Sequence, residues 1–137
     1  MPPLEFFIVL WAVAFFLNFF WEVWHSQLYT TCLPLPLPKV IRLLTGMSFR
    51  DAVWITLSYA LSVWIFGTAN PFTNKVQLIV FVVWLLLFSW VAEVWALKNK
   101  RWEYAPSMPI VFGVGLSPFV ELAITGVASI SITLVIT

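Results

Sequence analysis

The chain has 137 residues, of which 62% are hydrophobic, 18% aromatic and only 9% charged, with a mean hydropathy of +0.99. A soluble domain carries about a quarter charged residues, so thirteen charged side chains, seven basic and six acidic, exclude a solvated surface and imply an integral membrane protein. A net charge of +1 gives no reason to expect nucleic acid, and the single Cys32 excludes an internal disulfide and a cysteine-based metal cluster.

A spanning helix needs about 20 mostly apolar residues. The first such run covers about 4–24. Glu5 is the only charge near its start, and no small-residue cleavage site follows it, so this helix is expected to stay in the mature protein. A long loop, about 25–48, comes next. Its alternating Leu33-Pro34-Leu35-Pro36-Leu37-Pro38 predicts an extended, polyproline-like run. Residues 39–45 are expected to form a short interfacial helix that Gly46 stops. Ser48 and Asp51 then read as a capping box that opens a second span over about 49–68. The third span covers about 75–97.

The fourth span has two possible starts. Pro106, Pro109, Gly113 and Gly115 disfavour a regular helix from Ile110, whereas Ser117-Pro118 reads as an N-cap followed by proline at the first helical position. The favoured span is therefore 117–136, preceded by an irregular segment that must be buried in protein or line a wet cavity. The expected fold class is all-α: a four-helix transmembrane bundle, one domain over 1–137. The first and third loops hold Lys39, Arg42, Arg50, Lys98, Lys100 and Arg101, against Lys75 alone on the other side. That asymmetry predicts both termini outside, both long loops cytoplasmic and a multi-pass protein of the cell membrane.

Ionisable side chains inside a bilayer are costly, so each is a functional candidate. Asn18, Glu22, His25 and Tyr29 fall within a ~60° sector of one helix face at ~100° per residue. Asp51, Ser58 and Ser62 share a face of the second helix, Ser89 and Glu93 of the third, and Ser117, Glu121 and Thr125 of the fourth. With alternating helix directions, Glu22, His25, Asp51, Glu93 and Glu121 reach one depth in the cytoplasmic leaflet. Arg101, Glu103 and Tyr104 lie close by in the third loop. Such a group can donate protons, relay them or bind a cation. Plainer readings compete: Asp51 as a cap, Glu22 with His25 or Glu93 with Arg101 as structural pairs, and Glu121 as a first-turn carboxylate on the helix dipole. Met47 and Met108 read as packing, and Cys32 as an inert thiol. One histidine, without a pair of E-x-x-H motifs, assigns no metal, and no cofactor is expected.

Two resemblances add to this. Asn18-Phe-Phe-Trp-Glu22-Val-Trp-His25-Ser-Gln-Leu-Tyr29, Arg50-Asp51, Glu93-Val-Trp-Ala-Leu97, Arg101-Trp-Glu-Tyr104 and Gly115-Leu-Ser-Pro118 resemble a group of short four-helix bacterial membrane proteins, which implies one domain and no particular chemistry. Trp102-Glu-Tyr104-Ala-Pro106, followed by Pro118-Phe-Val-Glu121, is similar to the membrane lycopene cyclase domain, where a W-x-Y-x-P segment precedes a P-x-E-E motif. That resemblance implies a carboxylic acid protonating an isoprenoid alkene, with Glu121 as the acid. Val120 stands where the motif has its first carboxylate.

The leading expectation is a pocket for a hydrophobic molecule, an isoprenoid or lipid, with Glu22, His25, Glu93 and Glu121 binding it or donating protons. Asn18, Tyr29, Asp51, Arg101, Glu103, Tyr104 and Ser117 are its expected ligand-binding neighbours. Two alternatives stay open. One is a noncatalytic subunit of a larger membrane complex or a homo-oligomer, which the small residues Gly126, Ala128, Ser129 and Ser131 suit. The other is a small proton-coupled transporter.

Overall fold

A computed structural model describes residues 1–137. Four α-helices, α1 (Leu4–His25), α2 (Leu37–Phe66), α3 (Lys75–Lys98) and α4 (Leu116–Ile136), pack in cyclic order, each against its neighbours in sequence and α1 against α4. Three segments, Leu4–Leu28, Lys75–Lys98 and Leu116–Ile136, are long and apolar enough to cross a membrane. The distribution of polarity agrees with a membrane protein. Fifteen polar or charged residues are buried, while Ile8, Phe16, Leu57, Trp64, Ile79 and Leu87 are exposed on the outer faces. A soluble protein would have this pattern reversed.

The buried stripes follow helical spacing. On α1 it is Phe6, Leu10, Ala14, Asn18, Glu22 and His25; on α3 it is Gln77, Phe81, Leu85, Ser89, Glu93 and Ala96. Both stripes step by four and close with a step of three. Both are apolar in the middle of the bundle, where Leu10, Ile55, Tyr59, Leu85 and Ile130 interlock, and polar towards the end that carries the α1–α2 and α3–α4 loops. Gly126 lets α3 come close, since a Cβ there would meet Leu85 Cδ1 at 2.9 Å.

Local sequence departs from expectation in three places. First, α2 runs unbroken through Gly46 and Ser48 and is about 45 Å long at 1.5 Å per residue. Gly46 does not stop it, because its φ is not positive, unlike Gly67, which ends α2 at φ 71. Ser48 donates to Leu44 O at 2.7 Å from inside the helix, and Asp51 lies about four turns inside it, so neither is a cap. Second, the leucine-proline run is not extended. Residues 30–34 form turns, with Leu35 N donating to Cys32 O, and Leu37-Pro38 open α2, where a missing N–H leaves no intrahelical bond unmade.

Third, the segment before α4 is a tight antiparallel hairpin of β1 (Ile110–Val111) and β2 (Val114–Gly115). Phe112 and Gly113 turn it at φ 50 and 78, as a two-residue type I′ turn requires. Trp90 Nε1 donates to Phe112 O at 3.0 Å and pins the turn to α3. The helix that follows begins at Leu116 rather than at a Ser117 cap, and Glu121 lies beyond its first turn. The Ser117 hydroxyl is engaged with α1 instead.

The two loops at the polar end are laced together. Tyr29 pairs with Tyr104 in an isolated antiparallel bridge, Thr30 N donates to Glu103 O, and Ala105 N donates to Leu28 O. At the opposite end Gln77 Nε2 donates to Thr68 O and Ser62 Oγ, and Tyr59 Oη to Ala69 O, so the α2–α3 connection is fastened to the bundle.

Candidate functional site

Each helix brings an ionisable group to one cavity at the polar end. Glu22 and His25 come from α1, Asp51 from α2, Glu93 from α3 and Glu121 from α4. The cavity has a volume of about 30 Å3, room for a water molecule or two but not for a whole lipid. Tyr29 and Ser89 also line it, and Arg50 is its one Lys or Arg. Arg50 is exposed and reaches Asp51 Oδ1 at 3.3 Å.

His25 is 1% exposed and fully engaged. Its Nε2 lies 2.8 Å from Glu22 Oε2 and 3.7 Å from Glu121 Oε1, and its Nδ1 lies 2.6 Å from Ser117 Oγ. Trp21 Nε1 donates to that same Oγ at 3.0 Å. An indole only donates and a carboxylate only accepts. With Glu22 ionised and the ring neutral, the direction of the chain is therefore set: Trp21 N–H to Ser117 Oγ, Ser117 O–H to His25 Nδ1, His25 Nε2–H to Glu22.

Glu93 is held differently. Its Oε2 accepts from Tyr104 Oη at 2.5 Å and from Trp102 Nε1 at 3.0 Å, both from the third loop. Burial, reinforced by the hydrogen bond to Glu93, pushes the Tyr104 hydroxyl above the ordinary tyrosine range. Burial does the same to Tyr29, with Glu93 adding to it. Both phenols thus stay protonated at neutral pH.

The carboxyl groups of Glu22, Asp51 and Glu121 sit within hydrogen-bonding reach of one another. Contact between carboxylates is repulsive unless a proton or a cation lies between them. Three buried polar atoms around this cavity, Tyr29 Oη, Ser89 Oγ and Glu121 Oε2, have no hydrogen-bond partner in the protein. Ligand atoms of Glu22, His25 and Glu121 all lie within 4.8 Å of each other, close enough to share one metal ion.

The remaining sequence candidates fall into two groups. Asn18, Ser117 and Tyr104 support the site from behind: Asn18 Oδ1 accepts from Thr125 and ties α1 to α4, while Ser117 and Tyr104 hold His25 and Glu93. Arg101 and Glu103 stand off. Both are exposed. Arg101 does not pair with Glu93 but lies over the Trp95 ring at 5.2 Å, and Glu103 joins the loop lacing through its backbone. Arg101 does line a second cavity of about 40 Å3, which shares Glu22, Tyr29 and Met47 with the first and adds Leu43 and Leu44.

Sequence reasoning did not identify Trp21 and Trp102 as hydrogen-bond donors to the site, since tryptophans near a membrane interface are expected for other reasons. Ser89 was visible as a face-mate of Glu93. Nothing local marks Met47 or Phe88 as cavity lining. Comparison with protein-family models, with curated proteins and with solved structures finds no match for this chain.

Proposed function

We propose that this chain is a four-span protein of the cell membrane whose buried Glu/His cavity binds a membrane-soluble molecule, an isoprenoid or lipid, and serves acid–base chemistry on it from the cytoplasmic leaflet. The observation that carries the reading is the convergence of Glu22, His25, Asp51, Glu93 and Glu121 from four separate helices on one buried cavity. Burying so many ionisable groups costs several kcal/mol each unless they are paired, and a bundle built for stability alone would fill these positions with apolar side chains. Glu22, His25, Glu93 and Glu121 are the groups that hold the ligand or move protons.

The fourth span is the apolar second half of α2. Its first half carries Lys39, Arg42 and Arg50 and stands at the interface. The excess of basic residues at the end of the bundle holding the first and third loops makes that end cytoplasmic and both termini external. The cavity admits only a small reacting group, so the rest of the ligand stays in the bilayer. The thinnest of the four helix seams is α2–α3, and Met47 and Phe88 line the cavity along it. Phe88 packs on Trp54 across that seam, with ring centroids 4.4 Å apart, and together they form the gate.

The test is extraction of the purified protein with organic solvent, followed by mass spectrometry of what it carried. Glu22→Gln, His25→Ala, Glu93→Gln and Glu121→Gln are expected to lower the retained or converted molecule at least tenfold with expression unchanged. Four folded variants that carry the same molecules as the wild type would sink the reading.

A further inference from the structure

We infer that Glu22, His25 and Glu121 form a binding site for one divalent cation of the zinc or manganese type, buried inside the bundle. Donor spacing is the first support. Two ligands bound at 2.0–2.2 Å on tetrahedral angles stand about 3.4 Å apart. His25 Nε2 lies 2.8 Å from Glu22 Oε2 and 3.7 Å from Glu121 Oε1, which brackets that distance. All three side chains are at least nine-tenths buried, so the ligands are already gathered and desolvated. One imidazole with carboxylates suits zinc or manganese better than calcium, which takes six to eight oxygens.

A second, independent support is the set of unpartnered atoms. Glu121 is 4% exposed and its Oε2 has no partner, and the same holds for Tyr29 Oη, also 4% exposed, and for Ser89 Oγ. Three of the four such atoms in the chain border this one cavity. A cation on Glu121 with a bound water facing Tyr29 and Ser89 satisfies all three, and about 30 Å3 accommodates an ion with one water. Charge supplies the third support. Glu22, Asp51 and Glu121 sit within hydrogen-bonding reach of one another, and the exposed Arg50 is the only Lys or Arg beside them. A dication between the carboxylates offsets their mutual repulsion.

Ser117 is a positioning residue in this scheme. When Nε2 takes the metal, the neutral ring carries its proton on Nδ1, and Ser117 Oγ, 2.6 Å away, accepts it. Glu93 keeps its own two donors, Tyr104 and Trp102, and lies outside the metal group.

Such a cation site requires no bound organic molecule. Its test is a titration of chelator-stripped, detergent-solubilised protein with Co2+, read by its visible absorption bands, with Zn2+ as competitor. One Co2+ per chain is expected. His25→Ala and Glu121→Gln weaken it at least 100-fold, Ser117→Ala about 10–100-fold, and Glu93→Gln less than threefold. Size-exclusion profile and melting temperature establish that each variant folds. Wild-type protein that gives no Co2+ bands, or binds no better than folded His25→Ala, overturns the site. If neither substitution folds, the wild-type titration decides alone. Metal binding without any organic ligand upholds this site while counting against the acid–base reading above.

Discussion

His25 has two ring nitrogens and both are committed, one to Glu22 and one to Ser117. Ser117 in turn accepts from Trp21. A serine beside a proline at the head of a helix looks like a cap, yet its hydroxyl is recruited across the bundle because a buried imidazole nitrogen without a partner costs more than an uncapped N–H at a helix end. Cys32 shows the opposite case, a residue whose environment quiets it. It is half-buried in the first loop, and burial, with Glu22 adding to it, pushes its thiol above the usual range. A raised pKa leaves less thiolate at neutral pH, and the thiolate is the reactive form. Alkylation by iodoacetamide at pH 7.5 is therefore expected to be several-fold slower than for glutathione, and to keep rising past pH 9. A rate equal to that of glutathione, or a plateau below pH 8.5, would show that the thiol is not buried as described.

At the scale of elements, α1 and α3 were legible because a stripe stepping by three and four is strong over six turns, and their ends fall within a residue of expectation. The convergence of the polar faces followed from the same periodicity combined with alternating helix direction. The start of α2 was not legible. Gly46 after a basic stretch, and Ser48 followed by Asp51, carry the local chemistry of a stop and a start. A helix interior overrides both when cooperative propagation continues through them and when one face, Leu44, Ser48, Asp51 and Ile55, is buried against the bundle. Pairing of two short strands into the Ile110–Gly115 hairpin was also hidden, since Phe112 is a poor residue for positive φ and its carbonyl relies on Trp90, 22 residues away. The continuous α2 makes a direct prediction. Gly46 is exposed, and a Cβ there meets nothing within 4 Å. Gly46→Ala should stabilise the protein by about 0.5–1 kcal/mol, measured as a higher melting temperature in detergent. A drop on this substitution would mean that Gly46 needs a left-handed backbone and that α2 is two helices.

The whole molecule separates its two tasks along the bundle axis. An apolar core around Leu10, Ile55, Tyr59, Leu85 and Ile130 holds the helices together, and the polar end concentrates the ionisable groups. Loop lacing through the Tyr29–Tyr104 bridge closes that end and keeps Tyr104 on Glu93. Native mass spectrometry of the gently extracted chain shows whether this end engages the reacting group of a membrane-soluble molecule. One defined hydrophobic adduct per chain is expected, surviving collisional activation and missing from the folded Glu121→Gln variant. A bare protein mass, or only a heterogeneous ladder of phospholipids that is unchanged in that variant, would contradict it.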